Sequence, residues 1–112
     1  MKYEPLRQFA DSEVEEILSS GEVDLIKLLP LSIGEYHNDV AFAQNFCEKL
    51  LMNGTTDEIR ANAVLGLSYI ARRFVKLDKS IIPKLKDELK RNNTFHDRVE
   101  YSIDDIYLFM RW

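Results

Sequence analysis

The sequence has one cysteine, no long apolar run and no stretch in which apolar and polar residues alternate. Because Cys47 stands alone among 112 residues, an internal disulfide and a cysteine-based metal cluster are excluded. Its place in an apolar helical pattern predicts a buried thiol rather than a nucleophile. No apolar run approaches a membrane span, and the N-terminus lacks the apolar core of a signal peptide. The sequence therefore predicts a cytoplasmic protein with no membrane partner.

Histidine is also scarce. His37 and His96 are the only two, and neither lies near a second histidine, a cysteine or a serine that would suggest catalysis. Asp104 and Asp105 are neighbours in sequence, so a helix does not place their carboxylates adjacent to each other on one face for a metal or a carboxylate dyad. We therefore expect no catalytic residue, cofactor or metal, and we predict that the protein is not an enzyme.

Negative charge is concentrated in the first half of the chain. Residues 1–48 hold ten acidic residues against three basic ones, whereas residues 49–112 hold nine against twelve. An acidic half suits a basic partner, although ordinary solvated helix faces would give the same balance. The basic region 72–91 contains Phe74 as its only aromatic residue, so direct nucleic-acid binding is not favoured.

Two segments of the chain resemble each other at a distance of forty residues. In residues 57–70 and in residues 97–110, an aspartate is followed two positions later by a β-branched apolar residue, and apolar or small residues recur at helical spacing. Helical repeats of about this length are typical of HEAT and armadillo proteins. The predicted fold class is all-α, with about six helices in three stacked antiparallel hairpins that form a short HEAT/armadillo-like α-solenoid.

Helix start and stop signals divide residues 1–112, a single domain, into a degenerate capping unit (1–36) and two repeat units (37–76 and 77–112). Pro30 is expected to end the second helix, and residues 31–37 are expected to be the longest non-helical connection. Gly66 is expected to let a neighbouring helix approach closely. The predicted helices cover residues 13–19, 23–29, 40–52, 57–74, 79–90 and 96–110.

Arg60 and Glu100 occupy equivalent positions in the two repeat copies. Stacked helices would place them side by side, with Asp97 as a second possible partner for Arg60. Charged ladders of this kind between repeats help to fix stacking, although an exposed pair contributes little stability. We therefore interpret Arg60 as a structural residue.

Two groups of residues are candidates for binding a partner. The final helix combines carboxylates with aromatic residues, and Leu108 lies at the edge of its acidic face. A solvated acidic face on a terminal helix is the alternative reading. The connection before the third helix concentrates polar and aromatic side chains, although Asp39 is also a suitable helix cap. The candidate residues are Asp97, Glu100, Tyr101, Asp104, Asp105, Tyr107 and Trp112 in the first group, and Glu35, Tyr36, His37 and Asp39 in the second.

Residues 60–74 (RANAVLGLSYIARRF), together with residues 30–37 (PLSIGEYH) and 104–112 (DDIYLFMRW), resemble a group of small bacterial HEAT-like proteins. Some of that group look like immunity proteins of polymorphic and contact-dependent growth-inhibition (CDI) toxin systems. The resemblance covers residues 30–112, and residues 1–29 match nothing in the group. Glu100 stands where a regular repeat would carry an arginine.

The resemblance implies a protein that neutralises a cognate bacterial toxin by tight binding in the cytosol. Many such toxins are basic nucleases, and a carboxylate-rich inhibitor can occupy a phosphate-binding site as an anion mimic. The acidic half of the chain fits this expectation. The alternative is a general HEAT-like scaffold or regulatory adaptor that binds protein partners without a toxin.

Overall fold

The computed structural model describes residues 6–112, which form helices joined by short connections. No β-strand occurs in that range, so the predicted all-α class is confirmed. In chain order this part of the protein contains α1 (Asp11–Ser20), α2 (Val23–Ile26), α3 (Leu29–Tyr36), α4 (Val40–Asn53), α5 (Asp57–Phe74), a 3-10 turn (Lys79–Ile81), α6 (Ile82–Arg91) and α7 (His96–Met110).

Helix α3 is the main departure from the sequence prediction. Residues 31–37 were expected to be non-helical, and this is wrong because Leu29–Tyr36 is a helix. Pro30 lies in the first turn, where its missing N–H removes no hydrogen bond and its fixed φ suits a helix. Pro30 therefore starts a helix instead of ending one, and the predicted helix over 23–29 is divided between α2 and α3.

The long helices have the predicted bounds and caps. Helices α5 and α7 cover the predicted residues 57–74 and 96–110. The Thr56 side chain accepts a hydrogen bond from the backbone N–H of Ile59 at 3.1 Å, and Asp39 accepts one from Phe42 at the same distance. Each cap satisfies an amide that the helix itself leaves without an acceptor, so these local signals determine where α4 and α5 begin.

Three local features of α1 and α4 differ from what helix signals alone suggest. Asp11 and Ser12 are residue types that cap helices, but α1 begins after Ala10, whose N–H is accepted by Glu13. Gly54 ends α4 with an ordinary φ of −57° instead of the left-handed value that glycine commonly adopts there. Phe42 lies on the apolar stripe of α4 but is 41% exposed.

Helices α3, α5 and α7 lie side by side, with α5 in the middle. Just before α3, the carbonyl oxygen of Lys27 accepts a hydrogen bond at 2.8 Å from Asn62, which lies near the start of α5. Near the end of α3, the carbonyl oxygen of Gly34 accepts one at 2.8 Å from Arg73, which lies near the end of α5. Helices α3 and α5 therefore run in the same direction. Helix α5 supplies more buried residues than any other helix of the described chain, as its nearly all-round apolar sequence predicts.

The start of α7 lies beside the start of α5, and α4 and α6 form a second pair. Arg98, near the start of α7, donates to the side chain of Asn62, near the start of α5, at 2.7 Å, and this bond holds the two helix starts together. Gln44 accepts from the backbone of Asp78 at 3.1 Å, and Arg91 donates to the carbonyl of Leu51 at 2.9 Å, so α6 follows α4 in direction. The division into repeat units at residues 36 and 76, and the α-solenoid description, stay predictions.

Gly34 and Gly66 allow the backbones of α3 and α5 to touch. A Cβ atom on Gly34 would lie 2.5 Å from the carbonyl oxygen of Gly66, and one on Gly66 would lie 2.4 Å from that of Pro30. Real Cβ atoms do not approach backbone oxygens this closely. The close approach expected at Gly66 is therefore confirmed, and it offsets the roughly 1 kcal/mol by which glycine weakens a helix.

A buried carboxylate joins α5, α6 and the connection to α7. Glu88 is 0% exposed. It accepts hydrogen bonds from Arg60 Nε at 3.1 Å, from Arg91 Nε at 2.6 Å and from Asn92 Nδ2 at 2.9 Å. Arg60 also contacts Asp57. We call these five residues the Glu88 cluster.

The Glu88 cluster overturns the expected pairing of Arg60 with Glu100 or Asp97. The Arg60 guanidinium lies on Glu88 and Asp57, while Glu100 is exposed. Glu88 reaches Arg60 because it continues the inward stripe of α6, one helical turn beyond Leu85. A buried charge needs this complete set of donors, since an unpaired one would be strongly destabilising. The interpretation of Arg60 as structural is retained, with a different partner.

Candidate protein-binding surfaces

The solvent side of α7 carries carboxylates and two large apolar side chains. Tyr101 is 73% exposed and Leu108 71% exposed, the highest values among the large hydrophobic residues of the described chain. They are seven residues apart, two helical turns, so about 10 Å separates them along the axis. We define the α7 face as Asp97, Glu100, Tyr101, Asp104, Asp105 and Leu108, all of which are exposed.

The opposite side of α7 explains why these residues face solvent. Val99, Ser102, Ile103 and Ile106 are buried against the rest of the protein, and they recur at helical spacing. One hundred degrees of rotation per residue then places Tyr101 on the far side of the helix. The burial of one stripe therefore fixes the exposure of the α7 face.

The carboxylates of the α7 face remain largely unpaired. Within residues 6–112, no ion pair or hydrogen bond engages the side chains of Glu100, Asp104 or Asp105, and Asp97 lies only near His96, at 3.8 Å. Arg98 is engaged elsewhere, since it donates to Asn62. The α7 face is therefore strongly negative, with two apolar side chains among its charges.

Tyr107 and Trp112, the remaining candidates in this group, have a different environment. Both are half-buried and pack against the core, and their rings meet edge to face with centroids 5.9 Å apart. Trp112 is held there because its backbone N–H donates to the carbonyl of Tyr107 at 3.0 Å. Arg111, which precedes it, has a left-handed backbone conformation. Tyr107 and Trp112 anchor the end of α7 and border the α7 face.

The second candidate group lies where α3 ends and α4 begins. Glu35 accepts from Arg72 at 2.8 Å, and the Tyr36 hydroxyl donates to the carbonyl of Leu6 at 2.9 Å. Asp39 is occupied as the cap of α4. The structure therefore brings these residues together, but it already engages their polar groups within the protein.

His37 is similarly constrained. Its Nδ1 accepts from the backbone N–H of Asp39 at 3.1 Å, and its ring stacks on Phe42 with centroids 4.4 Å apart. Nε2 lies 3.6 Å from the Asp11 carboxylate. Because Nδ1 is an acceptor, the neutral ring carries its proton on Nε2, next to Asp11.

Sequence reasoning did not identify the N-terminal side of this site. A cleft of about 340 Å³ opens between the segment before α1 and the end of α3. Residues before α1 showed no pattern that would place them there, because the contact is between positions more than twenty residues apart. We call it the N-terminal cleft; it is lined by Gln8, Phe9, Ala10, Asp11, Ser32, Ile33, Tyr36, His37 and Asn38.

Half of the basic region 72–91 is used internally. Arg72 bonds Glu35, Arg73 bonds the carbonyls of Gly34 and His37, Lys84 contacts Glu48, and Arg91 belongs to the Glu88 cluster. Its aromatic residue, Phe74, is half-buried beneath the Arg73 guanidinium at 4.6 Å. These contacts give the region a structural role, and the expectation that it does not bind nucleic acid stays a prediction.

Two titratable groups have shifted pKa values. Complete burial raises the pKa of the Cys47 thiol well above its usual range, which agrees with the predicted buried thiol. The hydrogen bond from the backbone N–H of Ser80 lowers the pKa of the Asp78 carboxyl. Neither group lies on the α7 face or in the N-terminal cleft.

Among residues 6–112, no three His, Cys, Asp or Glu side chains are grouped to hold a metal ion.

Searches of known proteins give two kinds of similarity. No family model matches the chain. Protein YibA of Escherichia coli strain K12, and its counterpart in strain O157:H7, are each 33% identical over 86 residues, which cover 68% of this chain and 29% of the relative. The chain therefore spans less than a third of the length of these relatives.

No helix in the described part of the chain is both long and apolar enough to cross a bilayer.

The structural similarity extends over almost the full length of both chains compared. A chain in the crystal structure of a CDI complex from Cupriavidus taiwanensis LMG 19424 superposes with a TM-score of 0.80 at 23% sequence identity. The match covers 99% of this chain and 97% of that one. The protein thus has the all-α fold of one chain of that CDI complex.

Proposed function

We propose that this protein is an immunity protein, which binds and neutralises a cognate bacterial toxin in the cytosol through an acidic surface. The observation that carries the proposal is the end-to-end structural match to a chain of a CDI complex. Such a match, with almost nothing left over in either chain, favours a shared role more than a shared local motif would. Fold alone does not determine function, so the surface must support the same conclusion.

The surface supports a protein partner of opposite charge. The α7 face presents four carboxylates, most of them without an internal partner, around two exposed apolar side chains. Unpaired surface charge accelerates encounter with a basic protein, and exposed aromatic residues supply contact energy. A nuclease toxin must hold phosphate in a cationic site, and carboxylates on a rigid helix can occupy such a site as an anion mimic.

The same features favour binding over catalysis. The His37 ring is already engaged by Asp39 and Phe42, and the Cys47 thiol is fully buried. Neither group is therefore placed to act as a nucleophile or a base toward a substrate. Inhibition by direct contact requires no such group.

The test is to express the open reading frame beside this gene in a bacterial host, with and without this protein. We expect the neighbour alone to stop growth and co-expression to restore it. The purified pair should form a one-to-one complex with a nanomolar or lower Kd. A copy of the gene with an early stop codon is the control. A neighbour that leaves growth unchanged contradicts the proposal.

A general adaptor remains the second candidate, since helical scaffolds with exposed apolar residues also bind peptides and regulatory proteins. The observation in its favour is the similarity to protein YibA, which is more than three times the length of the matched region. An adaptor would show micromolar affinity for several partners and no toxic neighbour.

A further inference from the structure

We infer that the α7 face is the docking surface, with Tyr101 and Leu108 as its two anchors, and that its occupant is a protein surface carrying Lys or Arg side chains around an apolar recess. This inference rests on the proposed function and deepens it, because it specifies which face docks and what the partner must present.

The two anchors carry the argument. Tyr101 and Leu108 expose more of their surface than any other large hydrophobic residue in the described range. Both lie on the same side of a rigid helix that is fixed from behind by Val99 and Ile106. The helix backbone that carries them is already ordered before a partner arrives, so only side-chain rotamer freedom is lost when they bind. Their separation of about 10 Å is well within a single protein interface.

The charges around the anchors identify the occupant. Asp97, Asp104 and Asp105 surround the two apolar side chains, and Glu100 lies at one edge. Helix α7 itself offers few bases: Arg98 is held by Asn62, and Arg111 lies beyond the last turn. An acidic rim around an apolar centre excludes a second acidic surface and favours a basic one. The complementary surface is therefore basic at its rim and apolar at its centre.

The N-terminal cleft is less suited to be the main docking site. Three of its polar side chains are already bonded within the protein: Tyr36 to Leu6, His37 to Asp39, and Ser32 to Phe9. A partner would have to displace these bonds before it gained its own. On the α7 face, by contrast, a cation meets carboxylates that lose only water.

Binding kinetics should separate the two kinds of residue. Immobilised polypeptide from the neighbouring open reading frame is the probe, and the variants are Tyr101→Ala and Leu108→Ala, with Met52→Ala as the matched control on an exposed part of α4. We expect each anchor variant to weaken binding at least about 30-fold through faster dissociation. Met52→Ala should bind as the unsubstituted protein does. Because all three side chains are exposed, thermal unfolding should confirm that each variant is folded.

The charge variants test the rim. Asp104→Asn with Asp105→Asn should slow association roughly three- to tenfold and reduce its dependence on salt, while dissociation changes less. Glu15→Gln with Glu16→Gln, an exposed pair on α1, is the matched control and should leave both rates unchanged.

Each other outcome overturns the inference in an identifiable way. If the unsubstituted protein binds but the anchor variants bind within threefold of it, the docking face lies elsewhere and the proposed function stands. If the unsubstituted protein does not bind, both fall. If the protein alone is a dimer in sedimentation and Tyr101→Ala makes it a monomer, a second copy covers the α7 face and the inferred occupant is wrong.

Discussion

Glu88 and the carboxylates of the α7 face carry the same charge in opposite surroundings. Glu88 is fully buried, and three donors from Arg60, Arg91 and Asn92 surround it. Glu100, Asp104 and Asp105 lie in solvent, and no base in the described chain pairs with them. The first arrangement fixes how α5, α6 and the connection to α7 meet. The second does nothing for the fold, so its charge is available to a partner. Exposure and pairing, more than charge itself, separate a structural carboxylate from those available to a partner here.

The most severe way to test this comparison is Glu88→Ala. Removal of the carboxylate leaves Arg60, whose side chain is only 13% exposed, with Asp57 as its one remaining carboxylate in the Glu88 cluster, and leaves the Arg91 and Asn92 donors without their shared acceptor. Breaking a buried pair in this way should cost about 3–5 kcal/mol of unfolding free energy. Urea denaturation followed by circular dichroism measures it. Glu100→Ala is the matched control and should change stability by less than about 0.5 kcal/mol. Equal effects of the two substitutions would show that the Glu88 cluster is not a structural centre.

Cys47 is a buried ionisable group whose charged form, unlike the Glu88 carboxylate, has no hydrogen-bond donors around it among the described residues. Burial raises the pKa of the thiol, so the folded protein keeps a proton that the unfolded chain releases above about pH 8.5. The corresponding stability is complete below that pH and is lost as pH rises, by up to about 1.4 kcal/mol per pH unit. Cys47→Ala should therefore show a shallower decline between pH 8.5 and 10. Identical slopes in the two proteins would mean that the thiol is accessible.

Asp39 is intermediate between the two kinds of carboxylate, since it is exposed but caps α4. Asp39→Ala removes the acceptor for the N–H of Phe42 and should cost roughly 1 kcal/mol. Asp104→Ala is the appropriate comparison, because Asp104 caps nothing. If toxin protection is also measured, a loss with Asp39→Ala that exceeds the loss of stability would assign Asp39 a binding role, as the sequence predicts.

The smallest effect is expected on the α7 face. Replacement of Glu100, Asp104 and Asp105 together by their amides should leave the unfolding free energy within about 0.5 kcal/mol. A slight gain is expected, because Glu100 and Asp104 are like charges one helical turn apart. Differential scanning calorimetry resolves such a change. A loss above about 1.5 kcal/mol would reveal structural contacts for these carboxylates and remove the contrast with Glu88.

Local signals made most helices predictable. The start of α5 follows from the Thr56 cap, and the extent of α5 and α7 follows from a sustained apolar period bounded by breakers, all of which act within a few residues. Helix α3 was not predicted because a proline can either end a helix or occupy its first turn. Only the packing of α3 against α5 selects the second role for Pro30.

Long-range pairing was harder to predict. Glu88 lies on the inward stripe of α6, with Leu85 one turn before it and Asn92 one turn after it. This position was a usable signal that Glu88 is buried. The charged residues that flank it are also typical of a solvated helix face, so this signal is ambiguous. Arg60 was correctly judged structural, but its partner is 28 residues away and not forty. For the candidate site, helical spacing correctly grouped Asp97, Glu100 and Asp104 on one face, whereas the N-terminal cleft depends on contacts that no local pattern encodes.

The contact between Gly34 and Gly66 also bears on how the protein responds to its surroundings. It consists of backbone against backbone, with no ionisable atom, so neither pH nor ionic strength acts on it directly. This glycine contact should accordingly keep its geometry in dilute buffer and in concentrated salt alike, even where salt weakens the Arg72–Glu35 pair between the same two helices. Any loss of partner binding as salt is added can then be assigned to the charges at the surface and not to slippage between these helices.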